Sequence, residues 1–116
     1  MRRESLFLWD IVEAADHIAE FVVKVDFEEF LESEVLRSAV VQKLSVIGEA
    51  AAKLPAELKA RHAEILWPRI IALRNVLIHD YFGVDWRLVW QVARVGCPIL
   101  RTQIAEILAA EFQDSE

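Results

Sequence analysis

The sequence predicts an all-α fold, an antiparallel bundle of about five helices, and three observations support this prediction. Apolar residues make up 55% of the 116 residues, which is enough to build the core of one domain over residues 1–116. Only three glycines and three prolines interrupt the chain, so long regular elements are favoured over a many-turned β fold. The apolar residues also recur at steps of three and four, which is the spacing of one helix face.

The first helix is predicted to run from Glu4 to about Val25. Its apolar stripe consists of Leu8, Ile11, Val12, Ala15, Ile18, Ala19 and Val22. Asp26 is then expected to cap a short helical turn over residues 27–31, because a carboxylate accepts the unpaired backbone N–H groups that begin a helix.

The second long helix is predicted from Ser33, its expected N-cap, to Leu54, because Pro55 disfavours helical backbone at the residue before it. Gly48 lies inside this helix. Glycine in a helix interior costs roughly 1 kcal/mol relative to alanine. Its presence here therefore indicates that another helix approaches the backbone closely.

Three further helices are predicted in the second half of the chain. A short one covers residues 56 to about 65, and the next begins at Pro68 and ends by Gly83. The apolar residues of this fourth helix are Ile70, Ile71, Leu73, Leu77 and Ile78. Asp85 is expected to cap the last long helix, in which Pro98 should produce a kink or a division into two.

The formal net charge of −6 counts against a simple nucleic-acid binder, which is usually net basic. The charge is unevenly distributed, however. Basic residues dominate between Lys53 and Arg101, whereas acids concentrate between Asp26 and Glu34 and towards the C-terminus. The C-terminal acids are Glu106, Glu111, Asp114 and Glu116. A local basic surface is therefore compatible with the composition.

The apolar stretches and the cysteine content bear on the cellular location. Charged residues break every long apolar stretch before it could span a bilayer, and the first residues lack the apolar core of a signal peptide. The single cysteine, Cys97, excludes an internal disulfide, and its apolar neighbours predict a core position. A cytoplasmic protein without a membrane segment is expected.

The segment over residues 73–85 (LRNVLIHDYFGVD) carries the side chains best suited to chemistry. Asn75 and His79 lie four residues apart on one helix face, where the amide could hold the imidazole in one tautomer. Arg74 lies five residues before His79, roughly 140° around an ideal helix. Arg74 must therefore reach around the helix, or the site must combine two subunits.

These side chains fit the cleavage of RNA without a metal ion. That reaction needs a base for the ribose 2′-hydroxyl, an acid for the leaving 5′-oxygen and a cation for the charged phosphorane. Histidine suits the proton transfers, and the planar guanidinium of arginine matches phosphate. One histidine is too few for both transfers, so a symmetric homodimer is expected. From the residues alone, structural hydrogen bonds at a helix end are the competing interpretation.

The other candidate residues have structural interpretations. His17, near the first apolar stripe, and His62, near a helix end, are expected to be structural, and no metal site is predicted. Trp86 and Trp90 are expected in the bundle or in a dimer interface, with base stacking as an alternative. Glu49 could orient the arginine or the histidine of the candidate site if its helix packs alongside.

Four stretches of the chain together form a recognisable pattern. They are residues 27–30 (FEEF), 47–50 (IGEA), 67–68 (WP) and 74–85 (RNVLIHDYFGVD). The pattern resembles, almost from end to end, the HepT family of small toxins. Its arginine-to-histidine part resembles the signature of the wider HEPN superfamily.

This resemblance implies a HEPN-like bundle and a homodimer in which the Arg74 and His79 pairs cleave RNA in an interfacial cleft, without a metal or cofactor. Asn75 matches the supporting polar position of the family motif. The resemblance further implies a type VII toxin–antitoxin system, in which an MntA-like nucleotidyltransferase neutralises the toxin by adding AMP to Tyr81. A bulky anion two residues beyond His79 would block the cleft and repel RNA phosphates.

An alternative function is a non-catalytic helical subunit that docks a nucleotidyltransferase, since HEPN-like bundles also act as scaffolds. The intact Arg74, His79 and Tyr81 favour the toxin. A purely structural bundle does not explain why so many polar groups gather beside one helix end.

Overall fold

A computed structural model describes residues 3–112, and the predicted acids Asp114 and Glu116 lie outside this range. The described residues form α-helices and no strand, so the prediction of an all-α helical bundle is confirmed. The helices are α1 (Glu4–Val22), α2 (Phe27–Glu32), α3 (Glu34–Lys53), α4 (Ala56–Arg61), α5 (Trp67–His79), α6 (Trp86–Gln91) and α7 (Cys97–Glu111). A 3₁₀ turn (Tyr81–Gly83) precedes α6, and a π-helical turn (Val92–Gly96) joins α6 to α7.

The helices pack around α1, which contacts both α3 and α7, while α3 contacts α5 on its other side. The predicted stripe of α1 lies in the core, except for Ala19, which is exposed. The largest fully buried side chains are Phe30, Leu8, Ile11, Ile18, Leu58, Ile104, Val40 and Val89. Within residues 3–112, no helix combines the length and apolar character needed to cross a membrane.

The predicted N-caps of α2 and α3, Asp26 and Ser33, are confirmed. The Asp26 carboxylate accepts the Glu29 backbone N–H at 2.8 Å, and the Glu29 carboxylate accepts the Asp26 N–H at 3.0 Å. Ser33 Oγ likewise accepts the Leu36 N–H at 3.1 Å. Each of these contacts pairs a backbone donor that has no partner within the helix, which fixes where α2 and α3 begin.

Cations from distant elements bind carbonyls at the C-terminal ends of α1 and α3. α1 ends at Val22 and not at about Val25, and Arg94 Nη1 donates to the carbonyl oxygens of both residues, at 3.1 and 3.2 Å, which have no partner in the helix. Lys59 Nζ donates to the Ala51 carbonyl at 2.9 Å near the end of α3. A positive charge at these positions also complements the negative end of the helix dipole.

The predicted disturbance near Pro98 takes the form of a π-helical turn. Pro98 has no backbone N–H, and in a regular α-helix its ring presses on the carbonyl four residues earlier, that of Arg94. The chain widens just before this point, since the Cys97 N–H bonds to the Val92 carbonyl, five residues back. α6 and α7 therefore follow one another through helical backbone and not through a loop.

Two side chains, one on α4 and one just after it, bind the C-terminal end of α7. The Glu111 carboxylate lies 2.8 Å from Arg61 Nη2 and 2.6 Å from His62 Nε2. The hydrogen bond from Arg61, followed by that from His62, lowers the pKa of Glu111 below its ordinary value. The charged form of Glu111 is therefore favoured by folding, and α4 is tied to α7 through it.

We expect Glu111→Gln to lower the melting temperature by about 1–4 °C at pH 7, because this contact is largely solvent-exposed. The pKa of Glu111 is lower in the folded than in the unfolded state, so its contribution is present above the ordinary value of 4.5 and is lost as the pH falls below it. Thermal unfolding at several pH values measures this difference.

The matched control is Glu106→Gln, also on α7, because Glu106 is exposed and makes no hydrogen bond or ion pair within residues 3–112. Glu106→Gln should leave the melting temperature unchanged at all pH values. A loss at Glu111→Gln that persists undiminished at pH 3 would contradict the assignment.

Candidate active site

Helix α5, which carries the predicted site, lies at the edge of the bundle. Only Trp67 and Leu77 of its residues are buried. Trp67 fixes the start of the helix, since its indole Nε1 donates to the His62 carbonyl at 3.1 Å. Among the apolar residues predicted for this helix, Ile78 is 50% exposed. One side of α5 therefore packs on α3, and the other side faces outward with apolar and polar residues together.

Arg74 lies on the side of α5 that meets α3. A Cβ atom placed on Gly48 of α3 would lie 2.2 Å from Arg74 Cβ and 2.7 Å from Arg74 Cγ. The close helix approach predicted from Gly48 is therefore confirmed, and the residue opposite Gly48 is the candidate catalytic arginine. Arg74 is half-buried, and its Nε atom is enclosed without a hydrogen-bond partner in the described structure.

His79 and Asn75 lie on the outward part of α5 and are exposed. His79 is the last residue of the helix, which Asp80 ends by donating its N–H to the Val76 carbonyl at 2.8 Å. Within residues 3–112, no side-chain hydrogen bond joins Asn75, Arg74 and His79 to one another. The three predicted residues thus share one helix, with Arg74 against α3 and the other two open to solvent.

Tyr81 follows in a tight 3₁₀ turn. The Gly83 N–H bonds to the Asp80 carbonyl at 3.0 Å, and the Val84 N–H bonds to the Tyr81 carbonyl at 3.2 Å. The Asp80 carboxylate folds over Gly83, since a Cβ there would lie 2.6 Å from Asp80 Oδ2. This turn holds the half-buried Tyr81 at the end of α5, two residues beyond the exposed His79.

A chain of aromatic rings connects Tyr81 to the core. The Tyr81 ring packs edge-on against Trp86 with centroids 5.6 Å apart, and Trp86 packs edge-on against the fully buried Phe30 at 6.1 Å. Phe30 also contacts Trp90 at 5.1 Å, so both tryptophans pack within the bundle, one of the two positions predicted for them. The Arg37 guanidinium lies 5.4 Å from the Trp86 ring. These contacts hold the Tyr81 turn through side chains and not through backbone alone.

The sequence interpretation missed Phe30 and Arg37. The spacing of Phe27 and Phe30 at i, i+3 and of Trp86 and Trp90 at i, i+4 was a usable signal, because each pair lies on one helix face. Nothing in the sequence indicates that the two pairs meet, or that Arg37 lies over one of the rings.

Most basic side chains of the segment between Lys53 and Arg101 contact other groups of the same chain. Lys59 and Arg94 bind helix-end carbonyls, and Arg61 and Arg101 bind carboxylates. The Arg87 guanidinium lies 4.1 Å from the centre of the Phe27 ring. Within residues 3–112, the side chains of Lys53, Arg69 and Arg74 make no hydrogen bond or ion pair. Two of these three side chains, Arg69 and Arg74, belong to α5, and Lys53 is the last residue of α3.

The remaining candidates lie outside the site. His62 binds Glu111 at the end of α7, as expected of a structural histidine, and His17 is half-buried with an unpaired Nδ1. Cys97 lies in the core as predicted, and burial raises the pKa of its thiol to about 12. Glu49 is exposed and lines a cleft of about 420 Å³ with residues of α1, and no hydrogen bond or ion pair in the described range joins it to Arg74 or His79.

A second cleft, of about 460 Å³, lies beside the start of α2 and the π-helical turn. Phe27, Arg87, Trp90 and Arg94 line it, and none of the predicted site residues does. The predicted site residues therefore lie outside both of these clefts, and Asn75 and His79 are exposed on the surface of α5. Between residues 3 and 112, no three His, Cys, Asp or Glu side chains are grouped as metal ligands.

Comparison with known proteins identifies a family. The family model described as "Ribonuclease HepT-like" matches residues 11–107. A protein of Thermococcus cleftensis named "Probable ribonuclease HepT" is 38% identical over 106 residues, 91% of this chain and 96% of the relative. Several proteins named "Putative RNase" also match, two of them as follows. The one from Caldanaerobacter subterraneus subsp. tengcongensis is 36% identical over 111 residues, 96% of this chain and 99% of the relative.

The second of these, from Methanocaldococcus jannaschii, is 34% identical over 103 residues, 89% of this chain and 94% of the relative. No solved structure matches the chain significantly. The family model covers α2 to α6 in full and parts of α1 and α7, and it therefore includes Arg74, Asn75, His79 and Tyr81. The chain therefore belongs to the HepT-like ribonuclease family.

Proposed function

We propose that the protein is a metal-independent endoribonuclease, the toxin of a type VII toxin–antitoxin system, with Arg74 and His79 as catalytic residues. The observation that carries this proposal is the arrangement on α5. Arg74 and the exposed His79 lie on one outward helix of a chain that belongs to a ribonuclease family. The same helix also retains the uncommitted cation Arg69, which favours the approach of a polyanion.

The chemistry assigns each side chain a separate task. The His79 imidazole takes the proton of a ribose 2′-hydroxyl, whose oxygen then attacks the neighbouring phosphorus. A second imidazole returns a proton to the departing 5′-oxygen, so that a cyclic phosphate and a free 5′-hydroxyl result. The Arg74 guanidinium stabilises the negative charge that develops on the phosphorane oxygens. Asn75, one turn before His79, supports the orientation of the imidazole.

A homodimer supplies the second imidazole. α5 contacts the rest of its own chain chiefly through α3, and its outward side carries exposed large apolar side chains next to His79. They are Val76, Ile78 and, in the following turn, the fully exposed Phe82. Apolar residues grouped in this way favour burial against a second chain. A two-fold axis beside α5 would bring both histidines into one cleft.

We expect Ile78→Glu to convert the dimer into a monomer and to abolish cleavage, because a charge would replace apolar contact in the interface. Light scattering after size exclusion measures the mass. Ile99→Glu is the matched control, because Ile99 has a similar exposed fraction but belongs to α7, which packs against α1. A wild type that is monomeric at assay concentrations would contradict the proposed interface.

His79→Ala is expected to lower the rate of RNA cleavage by about 10²–10⁴-fold, because proton transfer is lost. Arg74→Ala is expected to lower it by at least about 10²-fold, because the charge of the phosphorane is no longer stabilised. The assay uses labelled RNA, excess chelator and protein produced without a partner. Arg101→Ala and His62→Gln serve as controls of the same residue types, because both contact carboxylates outside α5. Cleavage that survives in His79→Ala, or that stops in chelator, would overturn the mechanism.

Tyr81 is the proposed target of neutralisation. An MntA-like nucleotidyltransferase would join the Tyr81 phenol oxygen to the α-phosphorus of ATP, with pyrophosphate as the leaving group and the phenol proton released to solvent. The half-buried ring lies at the end of α5, two residues beyond His79, so that an attached AMP adds bulk and negative charge beside the cleft. RNA phosphates would then be repelled from this surface.

Incubation with the nucleotidyltransferase and ATP should add AMP to the protein and stop cleavage. Intact mass spectrometry measures the addition, and Tyr81→Phe should remain unmodified and active, because it lacks only the hydroxyl. Modification of Tyr81→Phe would show that another residue is the target. If the unmodified wild type cleaves no RNA at all, the non-catalytic scaffold that docks the nucleotidyltransferase replaces the toxin as the function. A cytoplasmic location, where RNA and ATP are available, is part of the proposal.

A further inference from the structure

The contact between Gly48 and Arg74 is tighter than any side chain at position 48 allows. A Cβ atom at Gly48 would lie 2.2 Å from Arg74 Cβ, 2.7 Å from Arg74 Cγ and 3.4 Å from the Ile70 carbonyl oxygen. The first two distances are well below van der Waals contact. They involve the root of the arginine side chain, which cannot move away unless α5 itself moves or rotates.

The other two glycines differ from Gly48. A Cβ at Gly83 would meet only the end of the flexible Asp80 carboxylate, which can turn aside. A Cβ at Gly96, also in helical backbone, would meet Val92 Cγ1 at 3.8 Å, an ordinary contact. The requirement for glycine is therefore specific to position 48, and the group that creates it is Arg74.

The environment of Arg74 shows what this contact determines. The Arg74 Nε atom is enclosed between the helices and has no hydrogen-bond partner in the described structure, although the residue as a whole is only half-buried. The part of the Arg74 side chain nearest the backbone is thus fixed against α3. The solvent-exposed fraction of Arg74 comes from atoms other than Nε. Where the guanidinium reaches solvent depends on how closely α3 and α5 approach at Gly48.

We propose that Gly48 is a positioning residue for Arg74. Because position 48 has no side chain, α5 packs so closely on α3 that the Arg74 guanidinium reaches the surface where the RNA phosphate binds. This inference rests on the proposed function of Arg74. A methyl group at position 48 displaces the arginine by an ångström or more, and misplacement on that scale typically costs about 10²-fold in rate. His79, at the exposed end of α5, keeps its own chemistry.

A thermal double-mutant cycle tests the contact without any assay of activity. Gly48→Ala should lower the melting temperature of the wild type by about 5–10 °C, because two atoms overlap. In the Arg74→Gly background the overlapping atoms are absent, and the same change should raise the melting temperature by about 4 °C, since alanine favours a helix over glycine. The reversal of sign is the expected result. A loss of similar size in both backgrounds overturns the inference.

A kinetic cycle tests the positioning role. Gly48→Ala should lower RNA cleavage by about 10²-fold in the wild type and should lower it no further in the Arg74→Gly background, with the pH profile unchanged. Gly96→Ala, the matched substitution, should leave cleavage at the wild-type rate. An active Gly48→Ala, or a further loss in the Arg74→Gly background, overturns the positioning role. If the wild type cleaves no RNA, the proposed function and the positioning role both fail, and the thermal cycle still decides whether the packing contact is correct.

Discussion

The contact of α5 with α3 is the constraint on which the candidate site depends. α5 has few other contacts with its own chain, and only Trp67 and Leu77 of its thirteen residues are buried. Its position therefore follows from how closely α3 allows it to approach, and Gly48 sets that distance at Arg74. A helix interior normally disfavours glycine, so the close approach has a cost in local stability that alanine would avoid. The same approach fixes one candidate catalytic group and leaves the opposite side of the helix free for contact with RNA or a second chain.

The bundle supports this exposed helix from both of its ends. At the start, the Trp67 indole is held by the His62 carbonyl, and the His62 ring is held in turn by Glu111. At the other end, the Tyr81 turn is connected through Trp86 to the buried Phe30. The outward side between these two anchors combines apolar side chains with the exposed His79. A surface of this composition is suited to a symmetric interface around a polar cleft, as the proposed nuclease requires.

Much of the fold could be predicted from the sequence because its signals are local. Asp26, Ser33 and Asp85 each cap a helix through backbone groups two or three residues away, and the glycine inside α3 indicated close packing without a partner being known. The features that sequence interpretation missed depend on contacts between distant residues. Arg94, in the π-helical turn, binds carbonyls at the end of α1, and most cations of the basic segment contact carbonyls, carboxylates or a ring, so that counting charges could not show which cations remain available at the surface. The candidate site residues could be named from their motif, but their exposure and the identity of the residue opposite Gly48 required the packed helices.

The central claim is that Arg74 and His79 act together in a cleft that two chains share. Co-expression of wild-type and His79→Ala chains with different tags, followed by purification on both tags, yields mixed dimers that keep both arginines but only one His79. The mixed dimer is expected to cleave RNA in chelator about 10²-fold or more slowly than the wild type, because one imidazole cannot serve as both base and acid. A mixed dimer that retains a substantial fraction of the wild-type rate would show a complete site in each chain and would contradict the shared cleft.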